Sequence, residues 1–186
     1  MASGPSERAR LLSSARDYVL THGVVNLSLS ELARGVGSNN RMLLYHFGSL
    51  AAILDAVTEE ILGGRALISR LDELLRSERS PAERVGLAWR HISDPDRLPH
   101  LQLFFARFGM AADSPDRYRE FLDRTRAEWT DTVAAALVGS VEDPRGVAIA
   151  VVGLWRGLQM ALIGGEPRIA VDAAHDRAVA ALFGQG

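Results

Sequence analysis

Apolar residues recur along this chain at intervals of three and four, with polar residues between them. That is the period of one face of an α-helix, and the strict alternation of a half-buried strand is almost absent. The pattern predicts an all-α fold of about nine helices.

The first predicted helix covers Ser6 to His22, with Leu12, Ala15 and Val19 inward and Gly23 as its stop. Glycine accepts the left-handed backbone that often closes a helix. The second runs from Leu29 to Val36, with Leu29, Leu32 and Ala33 inward. Ser28 and Glu31 have the S-x-x-E spacing of a capping box. Gly37 makes a turn, Asn39 is a candidate N-cap, and a third helix follows from Asn40 to His46. Leu43 and Phe47 point inward. The fourth starts near Ser49 with Leu50, Ile53, Leu54, Val57 and Ile61; Gly63-Gly64 bends or ends it, and Arg65 to Arg76 is helical again. Ser80-Pro81 opens the fifth, where proline suits a first turn. Pro95 and Pro99 bracket a break before the sixth, His100 to Ala112. Ser114-Pro115 opens the seventh, which runs to Val138 with the stripe Tyr118, Leu122, Thr125, Trp129, Val133 and Ala136. Asp143-Pro144 opens the eighth, and the ninth spans Arg168 to Phe183.

The eighth helix contains the most apolar stretch, Val147 to Ile163. It is short for a membrane span and carries Arg156 and Gln159, so it reads as a buried helix of a cytoplasmic protein. The N-terminal residues lack the apolar core of a signal peptide. Gly146, Ala150, Gly153, Gly157, Ala161 and Gly164 share one face of the eighth helix, and the ninth is rich in alanine. Glycine inside a helix costs roughly 1 kcal/mol relative to alanine. A close helix–helix interface, within or between subunits, would explain it.

Composition narrows the chemistry. The 186 residues contain no cysteine, which excludes disulfides and thiolate metal sites or nucleophiles. Apolar residues make up 47% and charged residues 24%, as in ordinary globular domains. The net charge of −2 excludes a globally basic coat protein. Its distribution is uneven: residues 1–50 hold five Arg against three acids, and the rest hold sixteen against twenty.

Two short helices joined by a tight turn, with a polar, basic and aromatic outer face on the second, form a helix-turn-helix. Such a unit lays its second helix in the DNA major groove. Arg41 can bond guanine in a bidentate manner, and Asn40 adenine. Ser28 and Ser30 can reach phosphates through hydroxyls and amides, although Ser28 is a cap first. Asn39 reads as a cap before a base contact. Leu44 either touches a thymine methyl or packs inward, and Met42 faces DNA or the core.

The set Ser28, Leu32-Ala33, Gly37, Leu43 and Tyr45-His46-Phe47, followed by Ser49 and an apolar helix, resembles the TetR family of bacterial transcriptional regulators. The resemblance covers about residues 6 to 63. It implies a DNA-binding domain over 6–63 and a helical effector-binding and dimerisation domain over 64–186. It also implies phosphate contacts by Tyr45 and His46. Leu50 stands where the family commonly has a basic residue, which implies weaker non-specific affinity or compensation from Arg8, Arg10 or Arg16. The implied protein is a homodimeric repressor, paired through the eighth and ninth helices. It binds a double-stranded DNA operator and is released by an unknown small molecule, with no cofactor. Candidate effector residues are Trp89, Phe104, Phe105, Phe108, Trp129, Trp155, Arg156 and Gln159. Arg156, in an apolar helix, needs a partner: an acid of its own chain, of the other subunit, or an anionic ligand.

Two other classes compete. A helical interaction module without DNA binding is favoured by Leu50 and opposed by Asn40, Arg41, Tyr45 and His46. A small helical enzyme lacks support: there is no H-E-x-x-H, P-loop or G-x-S-x-G. Gly35-x-Gly37 has neither a third glycine nor a preceding strand. His91, Asp94, Asp96 and His100 are the residues that could gather around a metal.

Overall fold

The computed structural model describes residues 6–24, 26–61 and 64–184. Among them there is no strand, and the helices are α1 (Glu7–His22), α2 (Leu29–Gly35), α3 (Asn40–Phe47), α4 (Leu50–Ile61), α5 (Gly64–Leu75), α6 (Pro81–Ile92), α7 (Leu98–Asp113), α8 (Arg119–Arg126), α9 (Thr132–Leu137), α10 (Pro144–Ile163) and α11 (Arg168–Phe183). They group into two compact units. Of the described residues, those up to 64 together with 102–109 form the first, and 65–101 with 110–184 form the second. The middle of α7 therefore joins the first unit, beyond the expected boundary at residue 63.

In the first unit α1 packs on α4 and α2, and α3 packs on α2 and α4. Its core is Leu11, Ala15 and Val19 of α1, Leu32 and Ala33 of α2, Leu43 of α3, and Ile53, Leu54 and Val57 of α4. Leu11, not the expected Leu12, is the buried leucine of α1, because Leu11, Ala15 and Val19 fall in one i, i+4 row. Ser6 caps α1, its hydroxyl accepting from the Ala9 N–H at 3.2 Å. Arg107 of α7 is 1% exposed. It donates to the Leu54 carbonyl at 3.4 Å and pairs with Asp55.

The second unit is built around Trp89 of α6 and Trp155 of α10, with Leu71, Leu75, Val85, Val133, Leu137, Val151 and Val179. A buried indole N–H left unbonded would cost about 1–3 kcal/mol. Trp89 donates to Asp172 at 2.8 Å, and Trp155 donates to Nε2 of His175 at 3.4 Å. The His175 ring stacks on Trp89 with centroids 5.1 Å apart. Its Nδ1 lies 3.1 Å from an Asp176 carboxylate oxygen. With Nε2 accepting, Nδ1 carries the proton of a neutral ring and donates it. Arg84 ties three segments together, donating to the carbonyls of Leu75 and Ala136 at 3.0 Å and to the Ser140 hydroxyl at 2.9 Å.

Three further expectations change. The seventh predicted helix begins later and is interrupted. Residues 114–118 turn, with the Tyr118 N–H on the Ser114 carbonyl, and α8 starts at Arg119. Between α8 and α9, Ala127–Asp131 is a π-helical stretch. Its wider turns advance the buried row by an extra residue. Phe121, Thr125, Thr130, Val133 and Leu137 are buried, whereas Leu122 and Trp129 of the expected stripe are only half-buried. Pro99 does not break the chain: it sits in the first turn of α7, where its missing N–H costs nothing, and a 3-10 turn at Pro95–Arg97 leads in. Of the Gly63-Gly64 bend, Gly63 lies outside the described residues.

The third change concerns α10. Among the described residues it is the one helix long and apolar enough to cross a membrane. Its packing differs from the expected buried helix. Ala148, Val151, Val152, Trp155 and Gln159 face the core, while Ile149, Ala150, Gly153, Gly157 and Met160 are exposed.

Candidate nucleic-acid interface

Local chemistry shapes the α2–turn–α3 segment. Ser28 and Glu31 form the expected capping box. The Ser28 Oγ accepts from the Glu31 N–H at 3.2 Å, and the Glu31 carboxylate accepts from the Ser28 N–H at 2.9 Å. It also accepts from the Ser28 hydroxyl at 2.7 Å. Those hydrogen bonds from Ser28 hold the Glu31 carboxyl below its usual range, so it stays ionised. The Ser28 hydroxyl and amide protons are both engaged by Glu31, the capping role that the sequence put first for Ser28.

Two glycines make the turn possible. Gly37 has φ of +64°, in the left-handed region. Gly35 lets Tyr18 of α1 lie against α2: a Cβ there would come within 2.1 Å of Cε2 of the Tyr18 ring. Asn39 then caps α3, its Oδ1 accepting from the Met42 N–H at 3.0 Å, which is the capping role weighed for it from sequence.

On α3, Leu43 is fully buried while Asn40, Arg41, Leu44 and Tyr45 are exposed. Positions i, i+1, i+4 and i+5 share one helix face. Leu44 is 43% exposed and Tyr45 80%, so Leu44 belongs to the outer face; Met42 is half-buried. The Asn40 amide donates to the Ser30 hydroxyl at 2.9 Å. His46 behaves differently. It is half-buried, its Nε2 has no hydrogen-bond partner among the described residues, and it meets Tyr45 edge-on at 5.0 Å. Nε2 is enclosed and so is not the ring atom available for the expected phosphate contact.

The three arginines considered as substitutes for a basic residue at Leu50 have different surroundings. Arg10 pairs with Glu7 at 2.7 Å, and Arg16 with Glu60 and Asp17 at 2.8 Å. Arg8 is exposed, with its guanidinium 4.8 Å above the Phe47 ring at the end of α3.

The effector candidates are divided between the two units. Trp89, Trp155 and Gln159 are packed in the second unit's core, the Gln159 amide donating to the Ile92 carbonyl at 3.3 Å. Phe104, Phe105 and Phe108 cluster on the part of α7 that belongs to the first unit. Trp129 and Arg156 are half-buried, and burial pulls the Arg156 guanidinium below its usual range. His91, Asp94, Asp96 and His100 do not converge: among the described residues no three His, Asp or Glu gather to hold a metal. Sequence reasoning missed the Ser30–Asn40 bond, which carries no local signal. It also missed Arg107, which a lone charge in the apolar run Leu103 to Met110 could have flagged, as it did Arg156.

No protein-family model and no curated sequence matches this chain. Solved structures do match its fold. A TetR-family member from Streptomyces coelicolor A3 superposes with a TM-score of 0.73 at 19% identity, covering 96% of this chain and 99% of that one. A transcriptional regulator from Rhodococcus sp. Rha1 gives 0.73 at 19% identity, with 96% and 97% covered. The multidrug binding protein EbrR, complexed with imidazole, gives 0.71 at 20% identity, with 96% and 90% covered. The chain has the fold of TetR-family regulators.

Proposed function

We propose that this protein is a sequence-specific DNA-binding transcriptional regulator, acting as a homodimeric repressor that a small molecule releases from its operator. One observation carries the DNA reading. The outer face of α3 presents Asn40, Arg41, Leu44 and Tyr45 to solvent, on a helix seated by Leu43 and capped by Asn39. Side chains anchored this way can enter a major groove, where Arg reads guanine, Asn reads adenine and an apolar group meets the thymine methyl. The 80% exposure of Tyr45 supports a contact to the flanking phosphates. Arg8 is the arginine to supply the phosphate contact that Leu50 does not, since Arg10 and Arg16 are in ion pairs.

Exposure supports pairing through α10 and α11. A Cβ built on Gly153 or Gly157 meets nothing within 4 Å, so these two glycines are not explained by packing within one chain. Ile149 and Met160 flank it, and Ile169 on α11 is 83% exposed. Two such faces, packed on each other, would form a four-helix contact. Two α3 helices would then meet half-sites about 34–36 Å apart. We place the effector in the second unit, where Trp129 and Arg156 are half-buried rather than enclosed. It acts only through different affinities for the DNA-competent and released arrangements.

The test is a gel shift on duplexes chosen by the protein from a random library. Retention should depend on sequence and weaken with salt. Arg41→Ala should cost about 1–3 kcal/mol of preference at one guanine and leave the oligomeric state unchanged. Unaltered preference at every position would remove Arg41 from the interface.

A further inference from the structure

We propose that Ser30 sets base specificity without touching a base: its hydroxyl holds the Asn40 amide in the orientation that reads adenine. This rests on the DNA-reading role of α3 and adds a division of labour within it. Ser30 lies in the first turn of α2, and Asn40 is the first residue of α3. Their side chains meet across the turn, Asn40 Nδ2 donating to Ser30 Oγ at 2.9 Å. Both residues are exposed, so either could bond water instead, and the bond adds little to folding. The α2–α3 geometry is already held by Leu32, Ala33 and Leu43 in the core and by the left-handed Gly37.

The consequence lies in orientation. An asparagine amide can rotate about its terminal torsion, because that sp³–sp² rotor is broad and two-fold. Reading adenine requires one orientation: Oδ1 accepts from N6 and one amide N–H donates to N7. Ser30 engages one Asn40 N–H, which leaves Oδ1 and the second N–H for the base edge. The rotor is ordered before DNA arrives, so less freedom is lost on binding. A neighbouring anion strengthens the case against Ser28 sharing this task, since its hydroxyl is held by Glu31.

The experiment compares wild type, Ser30→Ala, Ser30→Thr, Asn40→Ala and Ser30→Ala/Asn40→Ala. Each is taken through selection from a random duplex library and then gel shifts at fixed salt. Ser30→Ala should lower the preference for adenine at one base pair by about fivefold to tenfold, the lower part of what an Asn–adenine pair provides. Asn40→Ala should abolish preference at the same base pair, and the double variant should lose no more than Asn40→Ala alone. Ser30→Thr keeps the hydroxyl and should restore the wild-type preference. A uniform loss across all sequences in Ser30→Ala, with the adenine preference intact, overturns the proposal. So does an effect at a base pair that Asn40→Ala leaves alone, or full additivity in the double variant. If the wild-type protein retains no duplex in a sequence-dependent way, the DNA reading itself falls, which separates that failure from this one.

Discussion

His175 shows what one side chain contributes at a site with no solvent. It is fully buried, stacked on Trp89, accepts from Trp155 and donates to Asp176. Burial pushes its pKa below the ordinary 6.5, against the opposing pull of Asp176 and Asp172. His91 and His100 shift the same way, again chiefly through burial. The sign follows from proton counting. As pH falls through 6.5, the unfolded chain takes up protons that the folded sites refuse, so stability drops on acidification. Above 6.5 both states are neutral and these groups add no pH dependence. The thermal midpoint should therefore be level from about pH 8 to 7 and decline between about 6.5 and 5, before the carboxylates titrate. A midpoint unchanged down to about pH 5 would contradict the burial argument. The arginines differ in the same instructive way: Arg41 is exposed on α3, whereas Arg107 is buried against Leu54 and Asp55.

At the scale of elements, the α2–α3 hairpin depends on its turn more than on either helix. Both helices are short, seven and eight residues, and helices of that length are not stable alone in water. Capping by Ser28 and Asn39, the buried leucines and the left-handed Gly37 hold them. Gly37→Ala places a Cβ on a backbone that L-residues avoid, at a cost of about 1–2 kcal/mol. Gly37→Asn should lose less, because asparagine tolerates that region. Urea unfolding followed by circular dichroism measures both, and equal stability of the alanine variant would show that the turn relaxes freely. The capping box, the Asn39 cap and the Gly37 turn were all legible in sequence, because each is a short-range rule about a few adjacent residues. The π-helical stretch at Ala127–Asp131 was not. No residue type specifies an i→i+5 turn; the surrounding packing selects it.

For the whole molecule, the open face of α10 gives a direct test of assembly. Gly157 has free space where a side chain would stand. Gly157→Arg should therefore leave the single chain folded, as circular dichroism would show, while breaking the proposed pairing of α10 and α11. In sedimentation the wild type should run at about twice the chain mass and the variant as a monomer; a variant that still pairs would move the interface elsewhere. By itself the sequence determined the all-α class, the α2–α3 pair with its caps, and the outward set Asn40, Arg41 and Tyr45. These depend on helical periodicity and on neighbours within four residues, which a linear pattern displays. Only the tertiary structure decided that Leu44 faces out, that Nε2 of His46 is enclosed, that Trp89, Trp155 and Gln159 fill a core, and that Ser30 grips Asn40. Each of those outcomes depends on which distant segment occupies the space beside a residue, and packing determines that only when the whole chain is folded.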